Sequence, residues 1–203
     1  MRPVLIVDYG LGNLFSVARA FKAAGAQPAI SSDPRHIPEA SLLVLPGVGA
    51  FGDGMKGLEE RGLAGPIKDY ASSGRPLLGI CLGMQLLMSE GFEFGGRPGL
   101  GLIPGKVVQL QPKDGAGKPL KLPHVGWNKI LRGQGEGKQY YFVHSFIPVP
   151  DQGEHVLAEC RYGDTTFCAA IRRGAITGYQ FHPEKSGPAG IQLLSRFIEG
   201  RDP

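Results

Sequence analysis

A cysteine flanked by glycines is the first feature of this sequence that could do chemistry. In Gly79-Ile80-Cys81-Leu82-Gly83 it joins an apolar, strand-like run (residues 76–80) to a helix-like one (residues 82–87). This is the pattern of a nucleophile elbow, a strained strand-to-helix turn that exposes the reactive atom. Glycine is needed where a side chain would collide with neighbouring backbone. The helix N-terminus favours a thiolate, and the Leu82 backbone N–H can hold a developing oxyanion. The alternative is a structural cysteine buried at a strand–helix junction.

A general base for this cysteine is predicted at the end of another apolar segment. His182 and Glu184 follow residues 175–181 and are separated only by Pro183. In an extended chain, positions two apart point to the same side, so Glu184 can hold one ring nitrogen while the other takes the thiol proton. His144 also ends a predicted strand and is the competing candidate, although no carboxylate lies two residues from it.

A glycine-rich segment, residues 45–54, follows a second apolar strand. Such backbone approaches a neighbour closely or moves, and one peptide N–H here could complete an oxyanion hole with Leu82. The alternatives are a flexible loop or a phosphate-binding turn. The segment lacks the Gly-Lys-Ser/Thr ending of a P-loop, which argues against ATP binding.

The elements that must position these groups predict an α/β fold. Apolar runs at residues 4–8, 42–45, 76–80 and 175–181 alternate with helical patterns at residues 14–21 and 191–198. Strands that are apolar on both faces are typical of a mainly parallel sheet with helices on both sides. The second half adds strand-like segments, which predict mixed or antiparallel strands beside the parallel core: residues 107–110, 139–143, 155–160 and 166–171. No low-complexity linker divides the chain, so we expect one domain, residues 1–203.

Composition excludes several classes of protein. The 203 residues are 42% hydrophobic and 20% charged, and the net charge of +4 is scattered without a basic run. These values favour an ordinary globular surface over a nucleic-acid-binding one. The N-terminal apolar stretch is too short for a signal peptide, and no run suits a membrane span, so a cytoplasmic location is expected. Three sparse cysteines, Cys81, Cys160 and Cys168, predict neither a disulfide scaffold nor a zinc site.

Taken together, the motifs resemble the class I, triad-type glutamine amidotransferases. Within that family the resemblance is strongest to the glutaminase subunits of imidazole glycerol phosphate synthases, which serve histidine biosynthesis. The resemblance runs in order from about residue 6 to the last helix. The segments that carry it are Pro46-Gly47-Val48-Gly49, residues 79–85 and Gln180-Phe181-His182-Pro183-Glu184, and those that discriminate within the family are residues 8–13, 48–55, 124–128, 141–146 and 184–186.

The resemblance implies a flavodoxin-like three-layer sandwich and hydrolysis of L-glutamine to glutamate and ammonia through a γ-glutamyl thioester on Cys81. His182 would take the thiol proton, protonate the leaving ammonia and then activate water, and Glu184 would orient it. No metal or organic cofactor is implied. The family's glutamine-holding positions fall on Gly47, Gly49, Gln85, Glu93, Ser145 and Phe146.

The resemblance also implies a heterodimer with a (β/α)8-barrel cyclase, which uses the ammonia to make imidazole glycerol phosphate and an aminoimidazole carboxamide ribotide. No segment remains that could consume ammonia, which independently suggests an external synthase. Family members keep the glutaminase weak until the synthase binds its own ligand. Val48 is the natural switch and second oxyanion donor, and we expect its N–H to be turned away in the free enzyme. Asn13, Trp127 and Lys185 are predicted at the partner-facing rim.

Two other functions fit parts of the pattern. A glutaminase serving an anthranilate or aminodeoxychorismate synthase would share the elbow and the His-x-Glu motif, although residues 8–13 and 124–128 favour histidine biosynthesis. A non-catalytic, redox-sensing relative of the flavodoxin-like superfamily would keep an elbow cysteine. It would not need His182, Glu184 or Gln85 aligned with that cysteine.

Overall fold

The computed structural model describes residues 1–201. It contains five α-helices and thirteen strands in the described chain. The strands are β1 (Arg2–Val7), β2 (Ala26–Ser31), β3 (Leu43–Leu45), β4 (Leu77–Ile80), β5 (Met88–Gly91), β6 (Arg97–Pro98), β7 (Ile103–Gln109), β8 (His124–Gly133), β9 (Gln139–His144), β10 (Phe146–Pro150), β11 (Val156–Tyr162), β12 (Thr165–Arg173) and β13 (Ile176–Tyr179). The α-helices are α1 (Leu14–Ala23), α2 (Phe51–Glu60), α3 (Ala64–Ser72), α4 (Leu82–Leu86) and α5 (Gly187–Glu199), and short 3-10 turns cover Pro34–Glu39, Gly153–His155 and Pro183–Lys185.

A nine-stranded mixed sheet in the order β2-β1-β3-β4-β13-β12-β11-β8-β9 forms the centre of the fold. The first five strands pair in parallel and the rest antiparallel. Strands β3, β4 and β13 are buried throughout, as expected of parallel strands covered on both faces. The α/β, flavodoxin-like prediction of a mainly parallel core with antiparallel additions from the second half is therefore confirmed.

The two faces of this sheet carry separate apolar clusters. In one cluster, helices α1 and α5 pack against the sheet, and Phe21, Leu194 and Phe197 are among its buried residues. The other contains residues of α2, α3 and α4, including Leu58 and Ile67. A second sheet in the order β10-β7-β5-β6 flanks the latter cluster through Ile103 and Val107. The result is a layered core that leaves the carboxyl ends of the parallel strands open for a site.

The glycine-rich segment after β3 is only partly a loop, which differs from the flexible-loop interpretation of the sequence. Only residues 46–50 lack regular structure, and helix α2 begins at Phe51. Gly54 and Gly57 lie within this helix, where an added Cβ would come within 3.0 Å of Leu86 and 2.4 Å of the Tyr9 carbonyl oxygen. Here glycine allows close packing between elements rather than flexibility.

None of the helices in residues 1–201 is long and apolar enough to cross a bilayer.

Candidate active site

The Cys81 backbone has the strained geometry of a nucleophile elbow. It lies between β4 and α4 with φ 53° and ψ −110°, a conformation that non-glycine residues rarely adopt. Its N–H donates to the Tyr179 carbonyl oxygen at 2.7 Å, which ties the elbow to the end of β13. The turn places the thiol just after the end of β4, at the carboxyl-terminal edge of the parallel strands.

The two elbow glycines are required by their surroundings. An added Cβ at Gly79 would lie 2.7 Å from the Met84 backbone, and one at Gly83 would lie 1.7 Å from the Leu45 carbonyl oxygen. Both obstacles are main chain and cannot rotate away. The glycine pattern of the sequence therefore reflects the close approach of β3, β4 and α4 around Cys81.

His182 and Glu184 form a buried pair just beyond β13. The imidazole Nδ1 and Glu184 Oε1 are 2.7 Å apart, and the side chains are only 2% and 3% exposed. The His182 N–H donates to the Tyr141 carbonyl oxygen at 2.9 Å, and Ser186 Oγ donates to the His182 carbonyl oxygen at 2.6 Å. These bonds fix the backbone on both sides of the imidazole, so Glu184 holds one ring nitrogen and directs the other towards the site.

The electrostatics at His182 favour a charged imidazolium. Burial alone lowers the pKa of His182, but the neighbouring Cys81 and Glu184 more than offset it and raise that pKa to about 10. Within residues 1–201, Nε2 is buried and has no well-aligned hydrogen-bond partner. Cys81 therefore lies close enough to His182 to favour the imidazolium, although the geometry at Nε2 is not that of an ideal hydrogen bond.

His144, the competing candidate for the base, forms hydrogen bonds with other residues through both ring nitrogens. Its Nδ1 lies 3.1 Å from the Phe146 carbonyl oxygen, and its Nε2 lies 3.0 Å from His124 Nδ1. A carbonyl can only accept, so His144 Nδ1 carries the proton and Nε2 accepts from His124. Burial lowers the pKa of His144 to about 3 and that of His124 to about 4. A neutral pair in which both ring nitrogens of His144 are occupied fits a structural role, so His182 remains the candidate base.

The Val48 N–H, which the sequence predicts as the second oxyanion donor, points away from Leu82 in this conformation. The Leu82 N–H donates to the Gly47 carbonyl oxygen at 3.3 Å. The Gly47–Val48 peptide is trans, so its N–H points opposite to its carbonyl and away from Leu82. For the free enzyme, the sequence predicts a Val48 N–H that is turned away from the thiol. Rotation of this one peptide would free the Leu82 N–H and bring the Val48 N–H towards the thiol.

Tyr9 forms a hydrogen bond to the irregular segment after β3 that contains this peptide. Its hydroxyl donates to the Pro46 carbonyl oxygen at 2.6 Å, and the side chain is fully buried. An added Cβ at Gly47 would lie 2.0 Å from the same hydroxyl, so only glycine fits beside it. Burial and the nearby Cys81 raise the pKa of Tyr9, which keeps the phenol protonated as a donor. No local sequence pattern predicts this contact, because its partners are 37 residues apart.

A cavity of about 390 Å³ opens in front of the thiol, within the range of small-molecule sites. Five of the six predicted substrate-holding residues line it, and the sixth, Gly47, directly precedes the lining residue Val48 in the chain. Glu93 also accepts the Phe51 N–H at 2.8 Å, which fixes it at the start of α2. The lining residues are Val48, Gly49, Cys81, Leu82, Gln85, Glu93, Pro123, Val143, His144, Ser145, Phe146 and Lys185.

The predicted rim residues lie near the mouth of this cavity. Trp127 is 55% exposed and packs edge-on against Tyr141, with ring centres 6.3 Å apart. The Lys185 ammonium lies 5.8 Å from the centre of the same Tyr141 ring, and Lys185 also lines the cavity. Asn13 caps α1, the helix that packs against Pro183–Lys185. Of these three candidates, Lys185 lines the cavity, Trp127 contacts the same tyrosine ring as Lys185, and Asn13 is related to this region through α1.

Other potentially reactive groups lack this context. Burial raises the pKa of both Cys160 and Cys168 to about 12, so these two thiols stay protonated. Among residues 1–201, no group of three or more His, Cys, Asp or Glu side chains is arranged to hold a metal ion.

Residues 5–200 match the family model of glutamine amidotransferase class-I. Imidazole glycerol phosphate synthase subunit HisH from Carboxydothermus hydrogenoformans is 47% identical, over 96% of this chain and 98% of that protein. Subunit HisH 1 from Legionella pneumophila (strain Lens) is 44% identical, over 98% and 100% respectively.

Solved structures share the fold at lower identity. PurLQS from Thermotoga maritima superposes with a TM-score of 0.74 and 20% identity over 99% of each chain. A crystal structure of a glutamine amidotransferase superposes with a TM-score of 0.73 and 22% identity, covering 97% of this chain and 98% of that one. At these identities the superpositions support the three-layer fold and nothing finer.

Proposed function

We propose that this chain, which belongs to the class-I glutamine amidotransferase family, is the glutaminase subunit of an imidazole glycerol phosphate synthase. The observation that carries the proposal is that Cys81, which lines the cavity, interacts with the buried pair of His182 and Glu184. These residues follow the ends of β4 and β13, two strands that pair in parallel. The identity of 44–47% to named HisH subunits over nearly full length supports the choice of synthase.

The first half of the reaction forms a thioester. His182 Nε2 removes the Cys81 thiol proton, and the thiolate attacks the side-chain amide carbon of L-glutamine. The resulting oxyanion is held by backbone N–H groups. As this intermediate collapses, the imidazolium gives its proton to the departing nitrogen, and ammonia leaves.

The second half regenerates the enzyme. His182 removes a proton from water, and the hydroxide attacks the thioester carbon. Collapse of the second intermediate expels Cys81 Sγ, which is reprotonated by His182, and glutamate departs. Glu184 forms no bond to substrate; its carboxylate stabilises the imidazolium that appears in both halves, 2.7 Å from Nδ1.

Substrate recognition uses the inner wall of the cavity. Gly49, Gln85, Glu93, Ser145 and Phe146 line it and would hold the α-amino and α-carboxylate groups of glutamine, and Gly47 would contribute through the adjoining peptide. Both protons of the Gln85 amide are directed at protein acceptors, the Phe146 carbonyl and Gln180 Oε1. Its Oε1 is therefore the group available to accept a hydrogen bond from the substrate.

The Gly47–Val48 peptide acts as the switch between resting and active states. In the resting state its carbonyl oxygen accepts the Leu82 N–H, so neither Leu82 nor Val48 can stabilise an oxyanion. Losing one oxyanion donor typically costs about 100- to 1,000-fold in kcat. Rotation of the peptide on assembly with a ligand-bound synthase would restore both donors and so couple ammonia release to its consumption.

The partner in this proposal is a cyclase with a (β/α)8-barrel fold, bound at the rim of the cavity. Exposed apolar side chains support an interface here, since Trp127 is 55% and Val48 39% exposed beside the mouth. Tryptophan is enriched among residues that dominate binding energy. Asn13 and Lys185 would add polar contacts around it. Docking over the mouth would exclude water and keep ammonia from escaping.

Substitution of the nucleophile tests the proposal. With a cyclase partner, Cys81→Ala should abolish glutamine-dependent synthesis and leave synthesis from added ammonium salts intact, because only ammonia production is lost. Cys168→Ala is the matched control: its thiol is buried in the core away from the cavity, and activity should persist.

Two results would overturn the proposal. Retention of glutamine-dependent synthesis in Cys81→Ala would remove this cysteine from the mechanism. Glutamine-dependent activity with a chorismate-using synthase, and none with the cyclase, would move the chain to the other class of partner.

A further inference from the structure

A buried pair of amide side chains connects the nucleophile to the substrate cavity. Gln180 is completely buried just beyond β13, and its Nε2 lies 3.7 Å from Cys81 Sγ. Gln180 Oε1 lies 3.1 Å from Gln85 Nε2, which in turn lies 3.0 Å from the Phe146 carbonyl oxygen. The mechanism above assigns no role to Gln180.

The direction of these hydrogen bonds is fixed by the Phe146 carbonyl at one end. A carbonyl oxygen only accepts, so Gln85 must present its NH₂ group to it. Gln180 must then present its carbonyl oxygen to Gln85, which leaves the NH₂ group of Gln180 directed at Sγ. Reversing either amide would place two donors or two acceptors against each other in a buried site, at the cost of unsatisfied polar groups.

Besides the His182 imidazole, the Cys81 sulfur has two further neighbours of different kinds. The Val143 carbonyl oxygen, 3.9 Å away, can accept from the thiol. The Gln180 N–H cannot accept a hydrogen bond and can only donate one to the sulfur. It is therefore the better partner once the sulfur carries a negative charge. Because Gln180 has no exposed surface, this donor works in a low-dielectric setting where a charge-assisted bond is strong.

We infer that Gln180 is a further catalytic residue, whose amide N–H stabilises the Cys81 thiolate and whose orientation is set by Gln85. This rests on the proposed function of Cys81 as the attacking group. One consequence is that the amide that contacts substrate also aligns the donor on the nucleophile. A ligand that displaces Gln85 would thereby change the reactivity of the thiol.

Alkylation of Cys81 as a function of pH tests this inference. Iodoacetamide is added to the folded chain, and modification of the peptide containing Cys81 is followed by mass spectrometry. In Gln180→Met, which keeps similar bulk without a donor, we expect the pH midpoint of alkylation to rise by about one unit and the rate at neutral pH to fall about tenfold. Gln109→Met is the matched control, since Gln109 is exposed at the end of β7, and it should behave as wild type.

A second variant covers the case in which Gln180→Met does not fold. Gln180→Glu keeps the shape but places a carboxylate oxygen beside Sγ, so alkylation at neutral pH should be slower than in wild type by tenfold or more. Circular dichroism identifies the variants that fold. Wild-type midpoints and rates in whichever of the two variants folds would overturn the role of Gln180. An unreactive Cys81 in the wild-type protein would instead count against the proposed glutaminase.

Discussion

Gly83→Ala tests the packing of the elbow most sharply. The added methyl carbon would lie 1.7 Å from the Leu45 carbonyl oxygen and 3.3 Å from the Pro46 carbonyl carbon. A carbon and a carbonyl oxygen in contact are separated by about 3.3 Å. Helix α4 and the end of β3 must therefore move apart by about 1.5 Å, and both are backbone in a fully buried region.

Both stability and catalysis should respond to this displacement. Overpacking of this kind costs about 1–3 kcal/mol, which corresponds to a fall in Tm of about 2–12 °C for a chain of this size. The displaced elements carry the Leu82 N–H and the Pro46–Gly47 backbone. Since a misplacement of about 1 Å can cost about 100-fold, glutaminase activity should fall by at least that factor.

Thermal denaturation and glutamine hydrolysis measured on the same preparations check this prediction. Gly153→Ala is the matched control, because an added Cβ there meets nothing within 4 Å and Gly153 is exposed. Its stability should be unchanged or raised by up to about 1 kcal/mol, with full activity. If Gly83→Ala and Gly153→Ala had the same Tm and the same activity, the reasoning about the elbow would be refuted.

Three further predictions concern hydrogen bonds and buried charges. Tyr9→Phe removes the hydrogen bond to the buried Pro46 carbonyl oxygen and should lower the free energy of unfolding, measured in urea, by about 1–3 kcal/mol. An unchanged urea midpoint of unfolding would contradict this. Glu184→Gln should reduce glutamine hydrolysis by about 10²- to 10⁴-fold, less than loss of the nucleophile, and should lower the NMR-measured pKa of His182; a wild-type pKa would exclude the ion pair. Because burial lowers the pKa of His124 and His144 to about 4 and about 3, from about 6.5 when unfolded, the unfolded chain binds more protons in acid. Their contribution to stability is complete above about pH 6.5 and is lost as pH falls through about 4 and about 3. Urea titrations should show a smaller loss of stability in His124→Gln than in wild type, and equal losses would refute the neutral pair.

Local patterns allowed the candidate triad to be predicted from the sequence. The Gly79 and Gly83 spacing around Cys81 reports a tight strand-to-helix turn, and the spacing of His182 and Glu184 reports two side chains on one side of an extended segment. In both cases the chemistry depends on residues within a few positions of one another. Strands β3, β4 and β13 were also recognisable, because burial on both faces leaves uninterrupted apolar runs.

Features built from distant contacts could not be predicted in this way. Helix α2 contains three glycines and has poor intrinsic propensity, so its helical form depends on packing against Tyr9 and Leu86. The bond from Tyr9 to Pro46 joins residues 37 apart, and that from Gln180 to Cys81 joins residues 99 apart. Local sequence patterns identify these side chains but do not show which distant residues the fold brings into contact.

Selective labelling of the nucleophile tests the central claim most directly. A γ-chloroketone analogue of glutamine is incubated with the wild-type chain, with and without excess L-glutamine, and the modified residue is located by mass spectrometry. The account predicts stoichiometric alkylation of Cys81 that L-glutamine suppresses, with Cys160 and Cys168 unmodified because burial keeps both protonated. Absence of the label from Cys81, or labelling of Cys81 that L-glutamine does not slow, would contradict a glutaminase centred on this cysteine.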